Sequence, residues 1–274
     1  MALECFILWD MELIDTHCHL DVDEFDADRS IILGRCRAAG INQIVVPAIH
    51  AAGWEKLLKL CKQETGLHPA LGLHPVYIDS HQDEDLAKLE EKLVSEKPIA
   101  VGEIGLDFFL TDLDQQRQQE IFEAQLLIAR ETGLPVILHV RKAHDQVLAA
   151  LRRTRVTGGI AHAFNGSLQQ AQQYLDLGFK LGFGGTLTYD RSSKIRKLAQ
   201  DLPLEAIVLE TDAPDMVVSQ HRGERNSPEY LPEILAALVE VRQEEATRLA
   251  EQTTLNACEV LGIANQPSSS GQQG

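Results

Sequence analysis

Eight short β-rich runs recur along this chain, each followed by a helical stretch: ELIDTHCH (12–19), QIVVPA (43–48), HPALGLHP (68–75), IAVGEIGLD (99–107), PVILHVR (135–141), GGIAHAF (158–164), FKLGFGG (179–185) and AIVLETDAP (206–214). Alternation of this kind favours parallel strands, because a crossover helix returns the chain to the same end of the sheet. Eight units within 274 residues predict a (β/α)₈ TIM barrel. The clearest helix, residues 115–132, gathers Ile121, Phe122, Gln125, Leu126 and Ala129 on one face. Gly40, Gly133 and Gly178 each stand where a helix should stop. A doubly wound open sheet is the competing layout, but no GxGxxG follows the first run. No linker or internal repeat divides the chain, so residues 11–262 are expected to form a single catalytic domain. MALECFILWD (1–10) reads as an optional extension. It lacks a positive start, carries Glu4 and Asp10, and is too short to cross a bilayer. Residues 263–274 are polar and rich in Ser, Gly and Gln, and are expected to be a disordered tail.

In a barrel of this type, active sites form at the C-terminal ends of the strands. Nearly every run here ends in a residue able to bind a metal: His17 and His19 on the first, His74 on the third, Glu103 and Asp107 on the fourth, His139 with Arg141 on the fifth, His162 on the sixth, and Glu210 and Asp212 on the eighth. In the first strand, alternation through His17-Cys18-His19 puts both imidazoles on one face, suited to one ion, and turns Cys18 away as a buried thiol. Each residue also has a plain alternative. An HxH pair in a chain with ten histidines is weak by itself, Glu103 could belong to a structural ion pair, and a lone His139 or His162 could be a satisfied core histidine. Histidines placed independently in a core have no reason to collect at the ends of different strands. Together these residues therefore point to a metal site. Glu103, with two oxygens in an apolar strand, could bridge two ions ~3.5–4 Å apart.

Several of these segments resemble the signature segments of the TatD-type metal-dependent deoxyribonucleases, members of the wider amidohydrolase-like barrels. They are DTHCHLD, GLHP, GEIGLDF, LHVRKAHD, IAHAFNGS and LETDAP, in family order over about residues 12–262. GGTLTYDRSSK and ETDAPDM most resemble the bacterial branch called YjjV-like. The resemblance implies two divalent metal ions per chain. His17, His19 and Asp212 would hold one, His139 and His162 the other, with Glu103 bridging. His74 would lie outside the ligand set and touch the scissile phosphate or the water, and Asp212 would also accept the water's proton. Some relatives carry a further histidine where this chain has Val76, so one substrate contact would be missing. Zinc, manganese, nickel, iron and magnesium all remain open.

The implied reaction is cleavage of phosphodiester bonds in nucleic acid, DNA or the ends of RNA, by a two-metal-activated water. A formal charge of -16 opposes broad electrostatic attraction to such a substrate. Arg141 and Lys142, then Arg191, Lys194 and Arg196, then Arg222 and Arg225 follow strands on the catalytic face, and could supply phosphate contacts locally, Arg141 above all. Phe108, Phe109 and Phe164 lie beyond strand ends, where they could stack on bases or pack beneath loops. The chain has five cysteines and no CxxC pair, which suits a reducing, cytoplasmic setting. No membrane association is expected, and a monomer is. Two other functions compete with a nuclease: hydrolysis of an amide, lactone or small phosphoester at the same metal site, and a non-enzymatic metalloprotein scaffold.

Overall fold

The computed structural model describes residues 11–264. Eight parallel strands follow one another around a barrel in chain order. They are β1 (Leu13–Asp15), β2 (Ile41–Pro47), β3 (Leu67–Leu71), β4 (Ala100–Asp107), β5 (Val136–Arg141), β6 (Gly159–Ala161), β7 (Phe179–Phe183) and β8 (Ile207–Leu209). Between them lie α1 (Arg29–Ala38), α2 (Trp54–Gln63), α3 (Glu84–Glu96), α4 (Gln115–Thr132), α5 (His144–Thr154), α6 (Leu168–Asp176) and α7 (Ser193–Asp201). The chain then closes with α8 (Leu231–Arg242) and α9 (Ala246–Leu261). Every expected strand is present, and α4 has the expected limits. Its predicted apolar face is buried, Gln125 included.

The interior is layered. Ile14, Val45, Ala70, Ala100, Ile137, Ile160 and Val208 fill the lower barrel, and Ala257, Cys258 and Leu261 of α9 seal it from below. The inward period of two then sets what lies above. Two residues beyond Ile137, Ile160 and Val208 come His139, His162 and Glu210. The apolar layer is thus a floor, and the polar residues stand on it at the strand ends.

The seam between the last strand and the first is closed largely by loop backbone. Thr16 N–H donates to Leu209 O at 3.0 Å, and Asp212 N–H to His17 O at 2.8 Å. Ile263 also packs into the lower layer and donates its N–H to Cys258 O, so the packed domain runs past the expected boundary at Gly262. Residues 1–10 and 265–274, most of the expected extension and tail, lie outside the described residues.

Candidate metal centre

Glu103 stands in the middle of the barrel mouth, 1 % exposed. Its two oxygens divide the surrounding imidazoles. Oε2 lies 3.0 Å from His17 Nε2 and 3.4 Å from His19 Nε2. Oε1 lies 2.9 Å from His139 Nδ1, 3.2 Å from His74 Nε2 and 3.9 Å from His162 Nε2. Asp212 faces the same space, with Oδ1 3.7 Å from the Nε2 atoms of both His17 and His19, and Oδ2 3.7 Å from His162 Nε2. The six expected ligands are therefore brought together, with His74 beside them.

The first pair does not arise as the sequence suggests. β1 ends at Asp15, so His17 and His19 sit in the following loop rather than on one face of a strand. Asp15, fully buried, holds that loop by accepting from His17 N–H at 3.2 Å and Thr211 N–H at 3.0 Å. Cys18 is a buried thiol between them, its pKa driven well up by burial. The backbone is bent sharply at the mouth. Lys142, Ala163 and Asp212, which follow β5, β6 and β8, take φ values of 54°, 45° and 57°. Such left-handed conformations cost energy in residues other than glycine, and they persist where the surroundings enforce them, often at functional sites.

The donor set fits divalent metals. His17 Nε2 and His19 Nε2 point at each other across 3.3 Å, an arrangement with room for a shared proton or a shared ion. Glu103 Oε2 is buried with no donor aligned on it. Burial, followed by the neighbouring His162, pulls the His17 pKa well down, which leaves this imidazole neutral and able to ligate. Burial raises Glu103, but His74, His17 and His139 outweigh it and hold the carboxyl well below its usual range. Asp212 is pushed up to about 6 by burial, against the opposing pull of His162 and His19.

Two residues noted only as strand-end carboxylates have a definite place outside this group. Asp107 Oδ2 lies 3.0 Å from His139 Nε2 and 3.3 Å from Arg141 Nη1. Glu210 Oε1 accepts from Ala163 N–H at 2.6 Å and lies 3.1 Å from His162 Nδ1. Each grips the ring nitrogen that faces away from Glu103, a recurring outer contact of ligating histidines. His74 is held from its far side: Nδ1 accepts from Val76 N–H at 3.1 Å, which leaves Nε2 to carry the proton and face Glu103.

The cleft above holds about 780 Å³, and Arg141 is the one arginine or lysine among its described lining residues. Arg141 stacks over Phe109, which is 49 % exposed, at 4.3 Å from the ring centre, and Lys142 lies over the same ring at 4.9 Å. The other basic candidates are placed differently. Arg196 bonds Leu187 O and Glu240, Arg225 pairs with Asp28, and Lys194 donates to Asn165 O. Arg191 lies over Tyr189, and Arg222 is exposed outside the cleft lining. Phe164 cannot stack on a base, because it is buried against His144 and Tyr174, and Phe108 packs on the core.

The family described as TatD related DNase matches residues 14–262. The chain is 42 % identical over 253 residues to the uncharacterized metal-dependent hydrolase YjjV of Escherichia coli K12, covering 91 % of this chain and 98 % of that protein. It is 32 % identical over 259 residues to the 3'-5' ssDNA/RNA exonuclease TatD of Klebsiella pneumoniae, covering 92 % and 98 %. The crystal structure of the E. coli YjjV protein superposes with a TM-score of 0.89 at 41 % identity, over 92 % of this chain and 98 % of that one.

Proposed function

The chain belongs to the TatD-related DNase family, and from that premise we propose that it is a metal-dependent hydrolase cleaving phosphodiester bonds at the ends of single-stranded nucleic acid. The observation that carries this reading is the split of Glu103, one oxygen toward His17 and His19, the other toward His139 and His162. In this reading His17, His19 and Asp212 would hold one divalent ion, His139 and His162 a second, and Glu103 would contribute to both. Two such cations would offset charge on the nonbridging and leaving oxygens of a phosphodiester and make the attacking water more acidic.

The chain's own residues do the rest. Arg141, fixed in direction by Phe109 and Asp107, binds a phosphate at the rim. Exposed Phe109 beside it offers a stacking face to a base. The Asp212 carboxylate accepts the proton of the water that attacks phosphorus, and the departing alkoxide leaves protonated by solvent. His74 holds Glu103 in place from outside the ligand set. Free thiols at Cys18, Cys36, Cys61 and Cys258 support a cytoplasmic setting. Among the described residues no helix is long and apolar enough to cross a membrane.

The test is a substrate panel for protein loaded in turn with zinc, manganese, nickel, iron or magnesium: end-labelled single-stranded DNA and RNA, p-nitrophenyl phosphate diesters, lactones and dipeptides. Stepwise release of mononucleotides is the expected result. Turnover confined to amides or lactones would reject the nuclease reading, and absence of bound metal would reject the hydrolase reading with it.

A further inference from the structure

The cleft over the metal centre differs from one side to the other. Apart from the centre itself, three formally charged residues line it among those described: Arg141, Glu24 and Asp215. Arg141 ends β5, Glu24 follows β1 and Asp215 follows β8. In a ring of eight strands taken in chain order, β8 and β1 are neighbours and β5 stands opposite them, so the cation and the two carboxylates face each other across the mouth. Both carboxylated residues are exposed, while their backbones are held. Arg225 donates to Glu24 O, and the buried Asn226 donates to Asp215 O at 2.6 Å. Arg225 places its charge on Asp28, 2.7 Å away, and not on Glu24. Tyr77, in the turn after β3, lines the same cleft and is 43 % exposed. Its ring is propped edge-on against His50 and His74, with centroids 5.9 and 5.7 Å away. Burial, then Asp215 and Glu24, raises the pKa of its hydroxyl, which sets this ring within reach of the acidic side.

A strand laid across the centre has two arms beyond the scissile phosphate. Fixed carboxylates repel a further phosphate but accept a hydrogen bond from a hydroxyl. Only at a strand end does one arm carry a hydroxyl in place of a phosphate. We propose that this cleft selects a nucleic-acid end that finishes in a free hydroxyl. The terminal nucleoside lies on the β1–β8 side, with its base on Tyr77 and its hydroxyl donating to Glu24 or Asp215. The continuing strand brings its next phosphate to Arg141, beside Phe109. The inference rests on the nuclease reading above and adds to it the chemistry of the end that is taken.

The test uses protein loaded with the metal that gives the fastest turnover of a p-nitrophenyl phosphate diester. Its substrates are short single-stranded DNA oligomers carrying hydroxyl or phosphate at each end, in all four combinations. A phosphate at the attacked end should lower kcat/KM about 10–100-fold, and a phosphate at the far end should change it less than about 3-fold. Equal kcat/KM on all four would overturn the proposal. Glu24→Gln combined with Asp215→Asn removes two charges from exposed side chains while keeping their shape. It should bring the discrimination below about 3-fold, and discrimination that persists would overturn the assignment to these carboxylates. Tyr77→Leu should raise KM for the hydroxyl-ended oligomer about 10-fold, and Tyr77→Phe should restore it, because stacking needs the ring and not its hydroxyl. An oligomer whose last nucleotide is abasic should show no difference in KM between wild type and Tyr77→Leu; an equal rise there would overturn the contact with the base. Oligomers cut without regard to their ends would leave the nuclease reading standing and remove this one. A wild-type protein that hydrolyses the diester but no oligomer would defeat the nuclease reading, and this inference with it.

Discussion

Glu103 faces five imidazoles with one negative charge. Removing that charge should therefore be felt at both proposed metal positions. Glu103→Ala should lose both bound ions, and Glu103→Gln, which keeps one oxygen but no charge, should bind them far more weakly; metal content per chain measures both. His74 tests the opposite case. Its Nδ1 is occupied by Val76 N–H and its Nε2 faces Glu103, so it steadies the bridge without being needed to ligate. His74→Ala should retain two equivalents at saturating metal, while kcat falls about 10–100-fold as the Glu103 carboxylate loses an oriented hydrogen bond. Loss of a whole equivalent would place His74 among the ligands, and unchanged kcat would leave it as a cap before Pro75. These positions were legible in the sequence because metal-binding residue types stand out at the ends of apolar runs. The roles of Asp107 and Glu210 were not, since an outer carboxylate has the same letter as a ligating one and only distance separates them.

α4 shows how an element far from the reaction controls it. Gln118 and Gln125 lie seven residues apart on its buried face. Gln118 spans Asp107 N–H and O at 2.8 and 3.2 Å, and Gln125 spans Leu73 N–H and O at 2.7 and 3.1 Å. One helix thus fixes the end of β4 and the loop that carries His74. Gln125→Leu keeps the shape but leaves both Leu73 groups buried without partners, which should cost about 2–4 kcal/mol. The melting temperature should drop by roughly 5–10 °C, with kcat falling too as His74 loosens; an unchanged melting curve would contradict the bracing role. The helix and its buried face were readable from periodicity, but not the reason a glutamine belongs there. The strands were likewise readable as eight units, though several are shorter than their β-rich runs. β1 stops at Asp15 because the next residues turn to bond with the chain near β8. Sequence alternation cannot foresee where tertiary hydrogen bonds take over from a ladder.

The molecule as a whole repels its proposed substrate, with a formal charge of -16 and one arginine and no lysine among the described residues lining the cleft. Binding of single-stranded DNA should accordingly depend only shallowly on salt, and Arg141→Ala should reduce the slope of log K against log salt by about 0.7. A steep dependence that survives Arg141→Ala would mean that residues outside the cleft, such as Arg191 or Arg222, carry the backbone contacts. Electrostatics is not the only property shared across the whole chain. The barrel's seam joins residues near position 16 to residues near position 210, and it is fastened by the same loops that bear His17, His19 and Asp212. Metal uptake should therefore act as a clasp between the two ends of the chain. In hydrogen exchange, amides of β1 and β8, nearly two hundred residues apart in sequence, should slow together when metal is added, more than those of β3 or β7. The order in which the protein is synthesised has a consequence here as well. A nascent chain holding only the first seven units has His17, His19, Glu103, His139 and His162 but neither Asp212 nor a closed ring, so tight metal capture should wait for the final strand to arrive.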